Sequence, residues 1–206
     1  GLLFFAGMML YYHKTGSLAF NSILPANASW PEYLILAGFA LNAAVLPLHA
    51  WLPDAYPEAT VEGAVFLCAF TTKTAVYVLA RGFTGFEILA IMGTAMTVFG
   101  VCYAVIENDI RRVLAYHIIS QVGYMVAGVG IGTAMAVNGA AAHAFAHILY
   151  KALLFMCVGA LLLQTGERTL ARLGGLQRRM PITALAYWIA AFSISGVPLF
   201  NGFVSK

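Results

Sequence analysis

The stretch HAFAHILYKALLFMCVGAL, residues 143–161, decides the fold class of this chain. Its apolar character persists for about the 20 residues that a helix needs to cross roughly 30 Å of hydrocarbon. The run nevertheless contains His143, His147 and Lys151, spaced four residues apart. With 3.6 residues per turn, this spacing places the three basic groups in one slanted stripe on a helix. The stretch therefore predicts a membrane-spanning helix with a titratable face.

The whole chain has the composition of a membrane protein. Of its 206 residues, 62% are hydrophobic and 9% charged, whereas soluble domains have roughly 45–50% apolar and about 25% charged residues. We therefore expect a multi-pass protein of the cell (inner) membrane, with the lipid bilayer as a partner. The net charge of +3 gives no indication of nucleic-acid binding. Cys68, Cys102 and Cys157 lie in apolar runs without a CxxC pair, and we interpret them as buried hydrophobic residues rather than disulfide or zinc residues.

The apolar runs predict an all-α, polytopic transmembrane helix bundle. A partial helix over 1–12 precedes five full spans, and a seventh helix begins near 181. The five spans cover residues 33–52, 61–81, 86–106, 110–132 and 139–164. The alternating segments of a membrane β-barrel do not occur. Because the sequence starts within a helical pattern and without Met, we expect it to be an internal fragment of a longer protein.

Two of the predicted helices contain breaks. Pro47 interrupts AAVLPLHAW, and Gly196, Pro198 and Gly202 interrupt SGVPLFNGF. Proline removes a backbone donor, and in lipid the freed carbonyl groups must find protein or water. Each break is either a packing kink or a discontinuous helix beside a polar cavity, of the kind that transporters use.

The loops give an orientation. The 107–112 and 165–180 loops share one side of the predicted bundle and hold most of the arginines, so the positive-inside rule places that side in the cytoplasm. An acidic loop over 53–60, with Pro53 and Pro57 at helix ends, is expected on the same side.

Ionisable residues at membrane depth are rare and usually functional. The stripe on 143–161 fits a proton relay, because histidine both accepts and donates protons near neutral pH. Two other interpretations are a metal site on H-x3-H, for which lysine is a poor ligand, and two histidines satisfied by hydrogen bonds between helices. Lys73 lies in the middle of the 61–81 span and is expected to face a cavity or a carboxylate, with Glu62 and Glu87 as candidate partners.

Three further residues are candidates, of which Lys206 is the strongest and His117 the weakest. His49 follows the Pro47 break, and His117 lies in LAYHIISQVGY. Lys206 ends GVPLFNGFVSK and is expected at membrane depth if that helix continues.

Six motifs occur in order along the chain and together resemble one family. They are PLHAWLPDAYPEA, TTKTAVYVLAR, ENDIRRVLAYHIISQVGYM, HAFAHILYKALLFMCVGAL, LGGLQRRMP and SGVPLFNGFVSK. The family is the proton-translocating, antiporter-like membrane subunit shared by respiratory complex I, Mrp-type cation/proton antiporters and membrane-bound hydrogenases. DAYPEAT is slightly closer to the Mrp D-type subunit.

The resemblance implies a fold of about fourteen helices built from two inverted five-helix repeats. Residues 1–206 would form part of one proton-conducting transmembrane domain, from about the sixth helix to the start of the twelfth. The breaks would belong to discontinuous helices seven and twelve. Lys73 would lie at the junction between half-channels on helix eight, the 143–151 stripe would line the central axis on helix eleven, and Lys206 would feed the exit half-channel. The implied partners are other membrane subunits, protons and a cation such as Na⁺, without a cofactor.

One position departs from the family pattern. The family usually has a lysine five residues before the proline of PLHAWLP, where this chain has Asn42. An amide cannot carry a proton, so either Lys73, Glu62 or His49 substitutes, or the chain transports differently or is partly inactive.

Three functions follow from these expectations: an Mrp-type antiporter subunit, a proton-pumping subunit of complex I or a hydrogenase, and a scaffold subunit that has lost transport. The chain would not be an enzyme by itself, although it would be a translocase subunit within complex I.

Overall fold

The structure is a computed structural model that describes residues 1–205, and the predicted site residue Lys206 lies outside the described residues. The helices are α1 (Leu2–Thr15), α2 (Trp30–Asn42), α3 (Trp51–Glu58), α4 (Val61–Phe66), α5 (Thr72–Gly82), α6 (Glu87–Ile106), α7 (Ile110–Ile131), α8 (Ala134–Thr165), α9 (Pro181–Ser195) and α10 (Asn201–Ser205). A π-helical segment, Leu67–Thr71, joins α4 to α5. Residues 1–205 contain no strand beyond one isolated bridge between Asp109 and Thr169. The all-α prediction is confirmed.

Four helical spans among residues 1–205 are long and apolar enough to cross a membrane. They are Val61–Gly82, Glu87–Ile106, Ile110–Ile131 and Ala134–Thr165. The last begins five residues before the predicted position 139, because the Thr133 hydroxyl accepts a hydrogen bond from the Ala136 N–H and caps the helix there.

The predicted span over 33–52 is wrong in its second half. The helix α2 ends at Asn42, the chain turns through 43–50, and α3 follows. The acidic 53–60 segment is therefore mostly helix and not a loop. Pro53 fits inside α3 because the first four N–H groups of a helix have no intrahelical acceptor, so a proline there loses no bond.

Both predicted breaks are true helix discontinuities, and each contains a residue other than glycine with a positive φ angle. Ala44 (φ 58°) lies in the first break and Leu199 (φ 77°) in the second, in a left-handed region that residues other than glycine rarely adopt. At the first break the Trp51 indole N–H donates to the Leu41 carbonyl at 2.9 Å. The same oxygen also accepts from the Ala44 N–H at 3.0 Å, so the Leu41 carbonyl in the last turn of α2 is satisfied from within the protein, as lipid requires.

The helices α6 and α7 approach closely along their small residues. A Cβ added to Gly130 would overlap the backbone of Ala90, and one on Gly93 would overlap that of Ala127. Association between helices in lipid depends on close van der Waals packing rather than on the hydrophobic effect. These glycines therefore hold α7 in the position from which it meets α8.

Arg111, at the start of α7, anchors the α3–α4 turn. Its guanidinium group is buried and donates hydrogen bonds to the carbonyl groups of Pro57 (2.7 Å), Ala59 (2.9 Å) and Thr60 (3.3 Å). The loops outside it are held by ion pairs such as Arg168–Glu58 at 3.1 Å. In the same loop the backbone N–H and hydroxyl groups of Thr169 lower the pKa of the Glu167 carboxyl to about 2.

We expect Gly130→Ala to destabilise the protein by about 1–3 kcal/mol, because the added methyl group forces α6 away from α7. Gly139→Ala is the matched control: a Cβ at Gly139 meets no atom within 4 Å, and alanine favours a helix by up to about 1 kcal/mol over glycine. Thermal unfolding of the purified full-length protein in detergent measures both effects. Equal melting temperatures for the two variants would contradict this packing.

Candidate functional site

The stripe on α8 faces the interior of the bundle. His147 and Lys151 are fully buried, and His143 is 4% exposed. The elements that contact α8 are α4, the π-helical segment, α5, α7, α9 and α10. The titratable face predicted for this helix therefore lies against protein and not against lipid.

Lys73 is also buried, at the start of α5. Its Nζ donates a hydrogen bond of 2.8 Å to the carbonyl oxygen of Cys68, five residues earlier in the π-helical segment. A π turn spaces its hydrogen bonds by five residues instead of four. The Tyr56 hydroxyl donates to the Leu67 carbonyl of the same segment at 2.9 Å. Side chains thus engage two carbonyl groups of the irregular turn.

The expectation of a carboxylate partner for Lys73 is wrong. Glu62 and Glu87 are exposed, and none of the five ion pairs among residues 1–205 includes Lys73. Both glutamates lie in the first turn of a helix, where a carboxylate reaches water and complements the helix dipole. Lys73 instead lies among basic groups.

His147 is the centre of this basic cluster. Lys73, Lys151, His143 and His117 all lie close enough to interact with it electrostatically. The half-buried His117 of α7 thus joins the stripe, as does Lys73 from α5. We call these five residues the basic column.

Two neutral residues that the sequence analysis missed connect to the column. Gln121 of α7 and Tyr150 of α8 are 3% and 2% exposed. The Gln121 Oε1 atom lies 3.1 Å from His143 Nε2, and the Tyr150 hydroxyl donates to the same oxygen at 3.4 Å. A polar glutamine in the middle of the apolar 110–132 span is the sequence feature that indicates a buried polar contact here, although it carries no charge.

The second helix break brings α10 to the column. The Ser193 hydroxyl hydrogen-bonds to the Asn201 side chain, and the Asn201 amide donates to the Ala146 carbonyl at 3.4 Å. Ser205 Oγ then lies 3.3 Å from His143 Nδ1. A cavity of about 300 Å³ adjoins both side chains.

The two remaining candidates lie on either side of the first helix break. Asn42 is exposed at the end of α2, directly before the first break. His49 is half-buried, with its ring edge-to-face against Phe99 at a centroid separation of 4.5 Å.

The chain is similar in sequence to known membrane proteins. The family model described as NADH:quinone oxidoreductase/Mrp antiporter, TM, matches residues 1–206. The chain is 36% identical to the D-type subunit of the Na⁺/H⁺ antiporter of Alkalihalophilus pseudofirmus, covering 100% of this chain and 45% of that protein. It is 34% identical to the N-type subunit of NADH-quinone oxidoreductase of Desulforudis audaxviator, covering 97% and 44%.

Solved structures give the same relationship. A chain of the Mrp complex from Dietzia sp. DQ12-45-1b superposes with a TM-score of 0.90 and 30% identity, over 99% of this chain and 41% of that one. A chain of respiratory complex I from Thermus thermophilus gives 0.83 and 28%, over 99% and 47%. The resemblance drawn from the motifs is confirmed, and the chain spans less than half the length of these relatives.

We expect Lys73→Met to leave the melting temperature unchanged or to raise it. Burial of an ammonium group costs several kcal/mol, whereas loss of one hydrogen bond to the Cys68 carbonyl costs about 1–3 kcal/mol. The matched control is Lys14→Met, whose Nζ lies 2.8 Å from the buried Glu32 carboxylate. That substitution leaves a buried carboxylate without its partner and lowers the melting temperature. A large fall for Lys73→Met in thermal unfolding would assign Lys73 a structural role instead.

Proposed function

Because the chain belongs to the family of NADH:quinone oxidoreductase and Mrp antiporter membrane subunits, we propose that it is part of a proton-translocating subunit of a multisubunit, Mrp-type cation/proton antiporter. The basic column is the observation that carries the proposal. It brings together groups that accept and donate protons, inside helices that otherwise present apolar residues. Such groups at membrane depth mark proton pathways.

In this proposal a proton moves along the column by successive acceptance and donation, with water between the side chains. Neither ring nitrogen of His147 has a hydrogen-bond partner among residues 1–205, and polar groups in such positions are commonly served by water. The path runs from Lys73 through His147 and Lys151, and onward past His143 and α10 to Lys206.

The free energy of a modest pKa shift is comparable to the work of moving one charge across the membrane. Moving one charge through 100 mV corresponds to about 2.3 kcal/mol, and a shift of one pKa unit corresponds to about 1.4 kcal/mol. A neighbouring charge that approaches or leaves one of the basic groups therefore changes its proton affinity by an amount comparable to the membrane potential. No redox cofactor is needed in this protein for such a step.

Two observations favour the Mrp-type assignment. The antiporter protein of A. pseudofirmus is more similar in sequence than the respiratory protein of D. audaxviator, and the Mrp chain from Dietzia superposes better than the complex I chain from T. thermophilus. The margins are small, so a proton-pumping subunit of a respiratory complex is the second candidate. A scaffold subunit is the third, because Asn42 replaces the family lysine.

We expect Lys73→Met, in the full-length protein within its complex, to lower proton translocation by about tenfold or more, as expected when a required proton carrier is removed. The measurement is proton flux into liposomes that contain the complex and a pH-sensitive dye. Lys206→Ala should give a similar loss. Arg178→Met, which removes an exposed charge outside the column, is the control and should transport normally. Near-normal flux in Lys73→Met would refute the proposal.

The source of the driving force separates the candidates. An antiporter supports proton flux when a Na⁺ gradient alone is applied, whereas a respiratory pump requires an electron donor and an acceptor. Wild-type flux under neither condition, together with a gain in Asn42→Lys, would favour the scaffold.

A further inference from the structure

Gln121 makes two hydrogen bonds through one oxygen atom. A side-chain amide oxygen can only accept, so the two groups that face Gln121 Oε1 must both donate. One is the Tyr150 hydroxyl at 3.4 Å, and the other is Nε2 of His143 at 3.1 Å. The geometry therefore places the proton of a neutral His143 ring on Nε2. Its second nitrogen, Nδ1, is then the atom that accepts a further proton.

We propose that Gln121 is a positioning residue that holds Nε2–H of His143 and thereby directs proton exchange at His143 through Nδ1, toward α10. This role rests on the proposed function, in which His143 carries protons. Tyr150 contributes a second hydrogen bond to the same oxygen, at 3.4 Å.

The contacts of Ser205 fit exchange at Nδ1. Its hydroxyl group has one proton and two acceptors within reach, namely Nδ1 of His143 at 3.3 Å and the Gly202 carbonyl at 3.4 Å. When His143 is neutral, the hydroxyl can donate to Nδ1. When His143 is charged, Nδ1–H donates to Ser205 Oγ and the hydroxyl turns to Gly202. Ser205 can therefore follow both protonation states without losing its bond to His143.

The cavity lies on the same side of the ring. Its wall includes His143 and Ser205 together with Tyr124, Gly128, Ala136 and Gly139, near the turn between α7 and α8. Its volume of about 300 Å³ has room for several water molecules, each of which occupies about 30 Å³ in the liquid. Water there could exchange protons with Nδ1.

On the other side of the ring, Gln121 holds Nε2–H in a hydrogen bond. The rings of His143 and His147 are 6.1 Å apart between centroids. A proton that leaves Nε2 for His147 must first break the bond to Gln121, whose oxygen holds no exchangeable proton. Proton exchange between His143 and the rest of the column therefore takes place at Nδ1, by way of water, and not at Nε2.

Other titratable groups also face this region and contribute to any pH profile. They are Tyr124 and His117 from α7, His147, Tyr150 and Lys151 from α8, Lys73 from α5 and Cys68 from the π-helical segment. Glu62 of α4 is exposed, and Lys206 follows α10.

The test is ¹⁵N NMR of the histidine rings in the full complex, with His143 identified by subtraction of the spectrum of His143→Asn. In the wild type at alkaline pH, we expect one tautomer with the proton on Nε2. Gln121→Met removes the acceptor at similar volume and should give a mixture of both tautomers, with proton flux lowered about tenfold. Tyr150→Phe is the milder variant and should shift the tautomer ratio in the same direction.

Gln121→Glu is the conservative variant. It keeps an acceptor oxygen for Nε2–H, so the single tautomer should return. Its carboxylate also favours the charged ring, and the alkaline limb of the flux profile should therefore move to higher pH. Thr97→Val is the packing control: its hydroxyl hydrogen-bonds to the Ser120 carbonyl at 3.4 Å, beside Gln121, and the variant should leave the tautomer unchanged.

An unchanged Nε2–H tautomer in both Gln121→Met and Tyr150→Phe would overturn the inference, whether or not flux falls. A fall in flux with that tautomer intact would reduce Gln121 to a packing role. If Gln121→Met gives a mixture of tautomers but the wild-type complex moves no protons, the positioning role is upheld and the proposed function is refuted. The two failures are thus distinguishable.

Discussion

Hydrocarbon offers no hydrogen bonds to the helices that it surrounds, so each polar group within the bundle must be satisfied by the protein or by water. The bond from Lys73 Nζ to the Cys68 carbonyl shows this constraint most clearly. The irregular turn that joins α4 to α5 supplies an acceptor where the lysine needs one. The Tyr56 hydroxyl engages the neighbouring Leu67 carbonyl. A local departure from α-helical geometry is stable here because side chains use the groups that it offers.

The same constraint explains how the helix breaks are tolerated. The first is supported by the Trp51 indole bound to the Leu41 carbonyl, and the second by Asn201, which ties α10 to α8. At the end of the bundle, the Arg111 guanidinium group likewise donates hydrogen bonds to carbonyl groups of the α3–α4 turn. At each break, a side chain of the helix that follows thus donates to a carbonyl group of a different helix. The second break also carries Ser205 to His143, where an uninterrupted helix would have continued in the direction of α9.

The basic column has an energetic character that differs from the rest of the structure. The ion pairs among residues 1–205 lie toward the ends of the helices, whereas the five residues of the column are all basic and mostly buried. Buried charges of one sign repel one another and are expensive to desolvate. Such an arrangement is a poor way to stabilise a fold and a useful way to make proton occupancy sensitive to nearby charge. Neutral Gln121 hydrogen-bonds to one member of the column, His143, and Tyr150 bonds to Gln121.

The sequence by itself determined the membrane class, the four long spans and the stripe on α8, because hydropathy and helical period are local properties. It also indicated both breaks through their prolines. It failed for α3, since a proline in a first helical turn resembles a helix end, and for Lys73, whose acceptor is a backbone carbonyl that any residue type provides. Only the tertiary structure decided that His117, Lys73 and the stripe share one interior, and that Gln121 and Ser205 contact opposite nitrogens of His143. These contacts depend on how the helices pack around one another, and residues 22 to 62 positions apart carry no local pattern that reveals them.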